Sequence, residues 1–104
     1  MKNVEKIKHV KFPKSLKHIE SFAFCYSSIE YLEVPATIDR FEKYIFSGCN
    51  SLREVKIEDG VKVFGIGMFR ECVRLEKVSL PESLITIPES AFENCFSLHN
   101  INLP

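Results

Sequence analysis

The feature that most constrains this chain is a repeat of about 23 residues, in which an apolar frame, a Phe and a Cys return in fixed order. In the first unit Ile7, Val10, Phe12, Leu16 and Ile19 lead to Ala23 and Phe24. Ile29, Leu32, Val34, Ile38, Phe41, Ile45 and Phe46 hold the same places in the second. Leu52, Val55, Ile57, Val61, Phe64, Met68 and Phe69 hold them in the third, and Leu75, Val78, Leu80, Leu84, Ile87, Ala91 and Phe92 in the fourth. The units are residues 7–28, 29–51, 52–74 and 75–97; residues 98–104 form a partial repeat, and residues 1–6 read as the tail of a coil. Self-similarity at such a period predicts a solenoid.

Each unit reads as a short strand, a turn, a second extended piece and a tight helical or 3₁₀ turn. The triplets Val10-Lys11-Phe12, Leu32-Glu33-Val34, Val55-Lys56-Ile57, Val78-Ser79-Leu80 and Ile101-Asn102-Leu103 alternate apolar, polar, apolar, so two side chains point in and one out. Stacking the coils then makes a parallel sheet. Pro13, Pro35, Pro81 and Pro104 follow four of the triplets, where a missing N–H ends ladder pairing. The third unit carries Glu58-Asp59-Gly60 there instead, with Asp and Gly supplying another turn signal. The expected fold is an α/β solenoid, mostly β: a superhelix of about four and a half coils in one domain, residues 1–104, with no linker or charge block dividing it.

No coil can bury its apolar side alone, so stability comes from repeats plus their neighbour contacts. Neither end shows a polar capping segment, and the chain is therefore expected to be an excerpt of a longer array, or else to cover its ends by self-association. Lys+Arg and Asp+Glu both number 14 and no basic run occurs, which leaves little electrostatic drive toward nucleic acid or anionic membrane. No stretch approaches the roughly 18 apolar residues a membrane span needs, and the opening residues lack the charged-then-apolar pattern expected of a signal peptide.

The segment from Val78 to Pro81, followed by Leu84, Ile87, Ala91-Phe92 and Cys95, resembles the BspA-like class of leucine-rich repeats, and the resemblance covers essentially the whole chain. The place that carries Asn or Cys in the general leucine-rich motif holds Ser15, Thr37, Gly60 and Ser83, which favours this subclass. Ser27 stands in the Cys place of the first unit, and Ile45 and Met68 stand in the Ala place of the second and third, so packing there must differ. The resemblance implies a right-handed superhelix and binding without catalysis: large surface-associated or secreted proteins, implicated in adhesion to proteins or cells. By resemblance the partner is a protein ligand, such as a host or extracellular matrix protein, and the location the cell surface or outside the cell. The chain itself carries no address, and a cytoplasmic location stays open.

Cys49, Cys72 and Cys95 lie 23 residues apart and should stack as buried free thiols, about one strand spacing of ~4.8 Å from each other. Their parallel Cβ directions suit a disulfide poorly. Cys25, one place after Phe24, is expected to be exposed and the thiol most open to modification. There is no Cys-x-x-Cys pair for zinc, so no metal or other cofactor is expected. His9, His18 and His99 occupy different, outward places in the repeat, and no phosphate loop, His-Glu-x-x-His or nucleophile elbow occurs. No catalytic residue is assigned.

What remains is the exposed sheet face, the usual interaction surface of a solenoid. One outward column is His9, Tyr31, Glu54, Lys77, Asn100; a second is Lys11, Glu33, Lys56, Ser79, Asn102; a flanking one is Lys8, Glu30, Arg53, Glu76, His99. Lys8 to Glu76 and Lys11 to Lys56 alternate in charge and can neutralise themselves, each exposed pair contributing about 0.2 to 1 kcal/mol. Tyr31, an aromatic in an outward column, stands out as an interface anchor. The protein-binding candidates are Tyr31, Glu54, Lys56 and Lys77, for an adhesion or protein-interaction module; the alternative is a structural spacer or self-associating array. Tyr26, Val73, Phe96, Val63 and Ile85 are outward apolar residues on other sides, and Phe22, Tyr44 and Phe96 are placed to shield the turn.

Overall fold

The computed structural model describes residues 8–102; the expected coil tail at residues 1–6, together with Ile7, Leu103 and Pro104, lies outside them. The alternating triplets form the strands of a five-stranded parallel sheet: β1 (His9–Lys11), β3 (Tyr31–Val34), β5 (Glu54–Ile57), β6 (Lys77–Ser79) and β7 (Asn100–Asn102), side by side in that order. The second extended pieces form a smaller parallel pair, β2 (His18–Ile19) with β4 (Arg40–Phe41), continued by a bridge from Val63 to Thr86. The register is that of the repeat: Val10, Leu32, Val55, Val78 and Ile101 align, and so do His9, Tyr31, Glu54, Lys77 and Asn100.

The turns after the strands follow proline chemistry. Leu16, Ile38 and Leu84 each donate their N–H to the carbonyl of Pro13, Pro35 or Pro81 three residues back. In the third coil the acids replace proline by bonding to neighbouring coils. Glu58 accepts the Ala36 N–H at 2.8 Å, Asp59 accepts the Ser83 N–H at 3.3 Å, and Gly60, at φ 115°, gives its N–H to the Ser83 hydroxyl at 2.7 Å. Three amides left open by the turn are thereby satisfied.

The third side differs from the expected helical turns. Among the described residues only Glu89–Phe92 forms a 3₁₀ helix; elsewhere alternate residues turn their N–H groups toward the next coil. Phe22, Phe24 and Tyr26 donate to Lys43, Ile45 and Ser47 at 2.9–3.0 Å, and Tyr44, Phe46 and Gly48 donate to Ile66, Met68 and Arg70 at 2.8–2.9 Å. Intervening residues such as Ala23 and Cys25 close local turns onto Glu20 and Phe22. That alternation demands left-handed backbone at Phe22, Tyr26, Tyr44, Gly48, Gly67, Glu71 and Asn94, all with φ between 55° and 72°. A continuous helix is impossible under it, because half of the amides serve the neighbouring coil.

The core lies between these sides and is a stack of like residues. Phe24, Phe46, Phe69 and Phe92 pile up with centroid separations of 5.6, 5.5 and 5.7 Å and planes within 14° of parallel. Their spacing exceeds that of the strands, as an offset stack requires. Phe12 and Phe64 meet this column edge-on. Ile45 and Met68, the large residues in the Ala place, are completely buried. Apart from Phe41, the apolar frame is buried in the middle coils, and burial is partial toward both ends of the described stack, at Phe12, Leu16, Phe24, Leu84 and Phe92. Ile87, expected in the apolar frame, is 37% exposed, because its column has a described neighbour on one side only.

Candidate binding face

Because adjacent strands carry equivalent positions in register, Tyr31, Glu54 and Lys77 stand in line across β3, β5 and β6, and Lys56 lies two residues beyond Glu54 on the same face. Tyr31 is 42% exposed and its ring sits 6.2 Å from that of His9; Glu54 is half-buried, and Lys56 and Lys77 are exposed. A cleft of about 160 Å³ is lined by His9, Tyr31, Leu32, Glu33, Glu54 and Lys56. A second, of about 280 Å³, lies among Lys11, Phe12, Lys14, Glu33, Val34, Pro35, Lys56 and Glu58. Glu33 and Lys56 belong to both. The structure therefore brings Tyr31, Glu54 and Lys56 around one recess and leaves Lys77 outside it.

The charge columns pair differently from the expectation. Glu33 does not join Lys11 or Lys56 in an ion pair; its carboxylate reaches diagonally to His9 Nε2 at 3.2 Å. A diagonal contact lies within reach of long side chains on a parallel face, but alternating charge along one column did not signal it. Of the flanking column, Arg53 and Glu76 pair at 3.6 Å, while Lys8 and Glu30 form no ion pair among the described residues.

On the other sides polar groups tie coil to coil. His18 Nε2 meets the Glu42 carboxylate at 2.6 Å, and Ser21 donates to the same carboxylate at 3.3 Å. The bond to His18 holds the Glu42 carboxyl below its ordinary range. Arg70 is half-buried between Glu93 at 2.9 Å and Glu71 at 3.1 Å. The repeat places both acids beside it, one in the next coil and one in the next residue.

The cysteines serve packing. Cys49, Cys72 and Cys95 donate their thiols to the carbonyls of Phe24, Phe46 and Phe69, one coil earlier, at 3.3, 3.2 and 3.0 Å. Burial pushes the Cys95 thiol up to about 11, and Cys72 is shifted upward by its Cys49 neighbour and by burial. All four cysteines are free, Cys49 and Cys72 buried; Cys95 is half-buried rather than buried, having a described coil on one side only. Cys25, expected to be exposed, is half-buried as well, and burial raises its pKa. Among the described residues no group of His, Cys, Asp or Glu is arranged to hold a metal ion.

The aromatic residues of the turn side are fitted to glycines. Tyr26 covers the space where Gly48 would carry a Cβ, and Tyr44 does the same over Gly67. Phe22 stacks on Tyr44 at 5.4 Å, which is the shielding role expected of both. Phe96 and Ile85 remain 79% and 70% exposed.

A family model for a BspA type leucine rich repeat region matches residues 1–104 in six copies. The fold is similar to the crystal structure of a leucine rich cell surface protein from Faecalibacterium prausnitzii A2-165, with a TM-score of 0.63 and 26% identity. That match covers 93% of this chain and 32% of the other, so the chain spans about a third of that protein's length. No functionally curated protein matches. With its frame, its parallel sheet and its Phe and Cys columns, the chain belongs to the BspA-type leucine-rich repeat family.

Proposed function

We propose that this repeat module is a non-catalytic protein-binding unit of adhesive type, acting at the cell surface through the outer face of its five-stranded sheet. The observation that carries the reading is the recess where Tyr31, Glu54 and Lys56 meet: an exposed aromatic beside charges of both signs, held on rigid strands. Aromatic anchors ringed by polar groups are what protein interfaces concentrate. The half-exposed ring offers area at little entropic cost, because its strand is fixed by ladders on both sides. The cell-surface setting is supported by the similarity to a leucine rich cell surface protein.

The test is a crosslinking capture with the folded chain beside a Tyr31→Ala/Glu54→Ala/Lys77→Ala variant and an Ile85→Ser variant on another side. A protein captured by the wild type and by Ile85→Ser, but lost with the triple variant, supports the reading. Capture of the chain by itself alone, unchanged in the triple variant, favours the spacer or self-associating array.

A further inference from the structure

The larger cleft at the strand ends of the first three coils has a charge pattern that the repeat does not require. Lys11, Lys14 and Lys56 reach it from three places, and all three are exposed. Two carboxylates also line it, but Glu33 is turned onto His9 and Glu58 onto the Ala36 N–H, and the three lysines outnumber them. Among the described residues none of the three lysines is in an ion pair. Phe12 and Pro35 form an apolar floor. Lysine ammonium groups around a recess act as mobile point charges for an anion, and the floor asks for something the anion alone does not supply.

Resting on the binding reading above, we propose that this cleft takes an acidic peptide segment of the partner, with carboxylates on Lys11, Lys14 and Lys56 and one apolar side chain over Phe12 and Pro35. The adjoining recess at Tyr31 shares Glu33 and Lys56 with it, so an extended segment can run from one to the other. A sulfated polysaccharide matches the lysines but has no aliphatic group for the floor, which decides for the peptide. The same charges make the contact sensitive to salt, since the screening length falls from about 30 Å at 0.01 M to about 8 Å at 0.15 M.

The probe is a dye-labelled Glu-Glu-Leu-Glu-Glu peptide, titrated by fluorescence anisotropy at both salt concentrations. Comparators are Glu-Glu-Gly-Glu-Glu, Lys-Lys-Leu-Lys-Lys and heparin. The Leu-containing acidic peptide should bind most tightly at low salt. Its affinity should fall at least about tenfold in Lys11→Gln/Lys14→Gln/Lys56→Gln and stay unchanged in Lys43→Gln/Lys62→Gln, with wild-type circular dichroism in both. No binding at low salt, an equal loss in the control pair, or tighter binding of heparin or of the Gly peptide overturns the proposal. If a captured partner is lost with the Tyr31 triple variant but not with the lysine variant, the acidic-segment assignment fails while the sheet-face reading stands.

Discussion

Along the turn side, Phe24, Phe46, Phe69 and Phe92 repeat one residue type through four coils, whereas across the sheet the column His9, Tyr31, Glu54, Lys77, Asn100 never uses a residue twice. Both columns are equally regular in backbone register. The contrast lies in what each side chain must touch. A Phe in the stack packs against the same position one coil above and one below, so a change at one level is felt at two others. A residue on the sheet face meets its neighbours through solvent-screened contacts, and the frame leaves its identity free. Repetition therefore marks what holds the solenoid together, and variation marks the positions that packing leaves free.

The strongest way to break this division is Phe69→Ala. Phe69 is fully buried, stacked on Phe46 and Phe92 and met edge-on by Phe64. Its loss should cost about 3 to 5 kcal/mol in a denaturant melt. A cost under about 1 kcal/mol would remove the stack from the account.

A smaller effect sharpens the same contrast on the turn side. Gly67→Ala places a side chain on left-handed backbone and against the Tyr44 ring, and should cost about 1 to 3 kcal/mol. Adding Tyr44→Ala removes the collision but not the backbone strain, so thermal melts of the single and double variants should show non-additivity. Strict additivity would separate the ring from the glycine.

Arg70→Ala comes next, losing two ion pairs that stay partly open to solvent. Such pairs contribute little, and the melt should move by less than about 1 kcal/mol.

The last prediction concerns acid. Glu42 has its pKa lowered in the fold, so its contribution is present above the ordinary carboxylate value and is lost as pH falls through the lower, folded one. Melts followed downward from pH 5 should show a shallower fall in Glu42→Gln than in the wild type. Identical acid limbs would mean that the contact with His18 contributes nothing to stability.

Much of this architecture was legible because stacking turns packing into period. Every strand pairing, the Phe column and the Cys column follow from counting residues, since equivalent positions must lie one coil apart. The tight turns were less legible. Left-handed backbone at Phe22, Tyr26 and Tyr44 carries no signal in residue type, because Gly is the usual marker for it. The need for it appears only when alternate amides are seen bonding to the next coil. The candidate face was half legible: the columns could be written down, but not the diagonal choice of His9 by Glu33, which follows from side-chain reach rather than register. That one bond, with the engagement of Glu58 by the Ala36 amide, decides which lysines are left without an ion-pair partner.

The most direct test of the division between repeated and varied columns is a denaturant melt of Tyr31→Ala/Glu54→Ala/Lys77→Ala beside Phe69→Ala. The face variant should melt within about 1 kcal/mol of the wild type, since surface substitutions stay small, while Phe69→Ala loses several times more. A face variant that unfolds as early as Phe69→Ala would show that the sheet columns are structural, and would contradict the assignment of that face to binding.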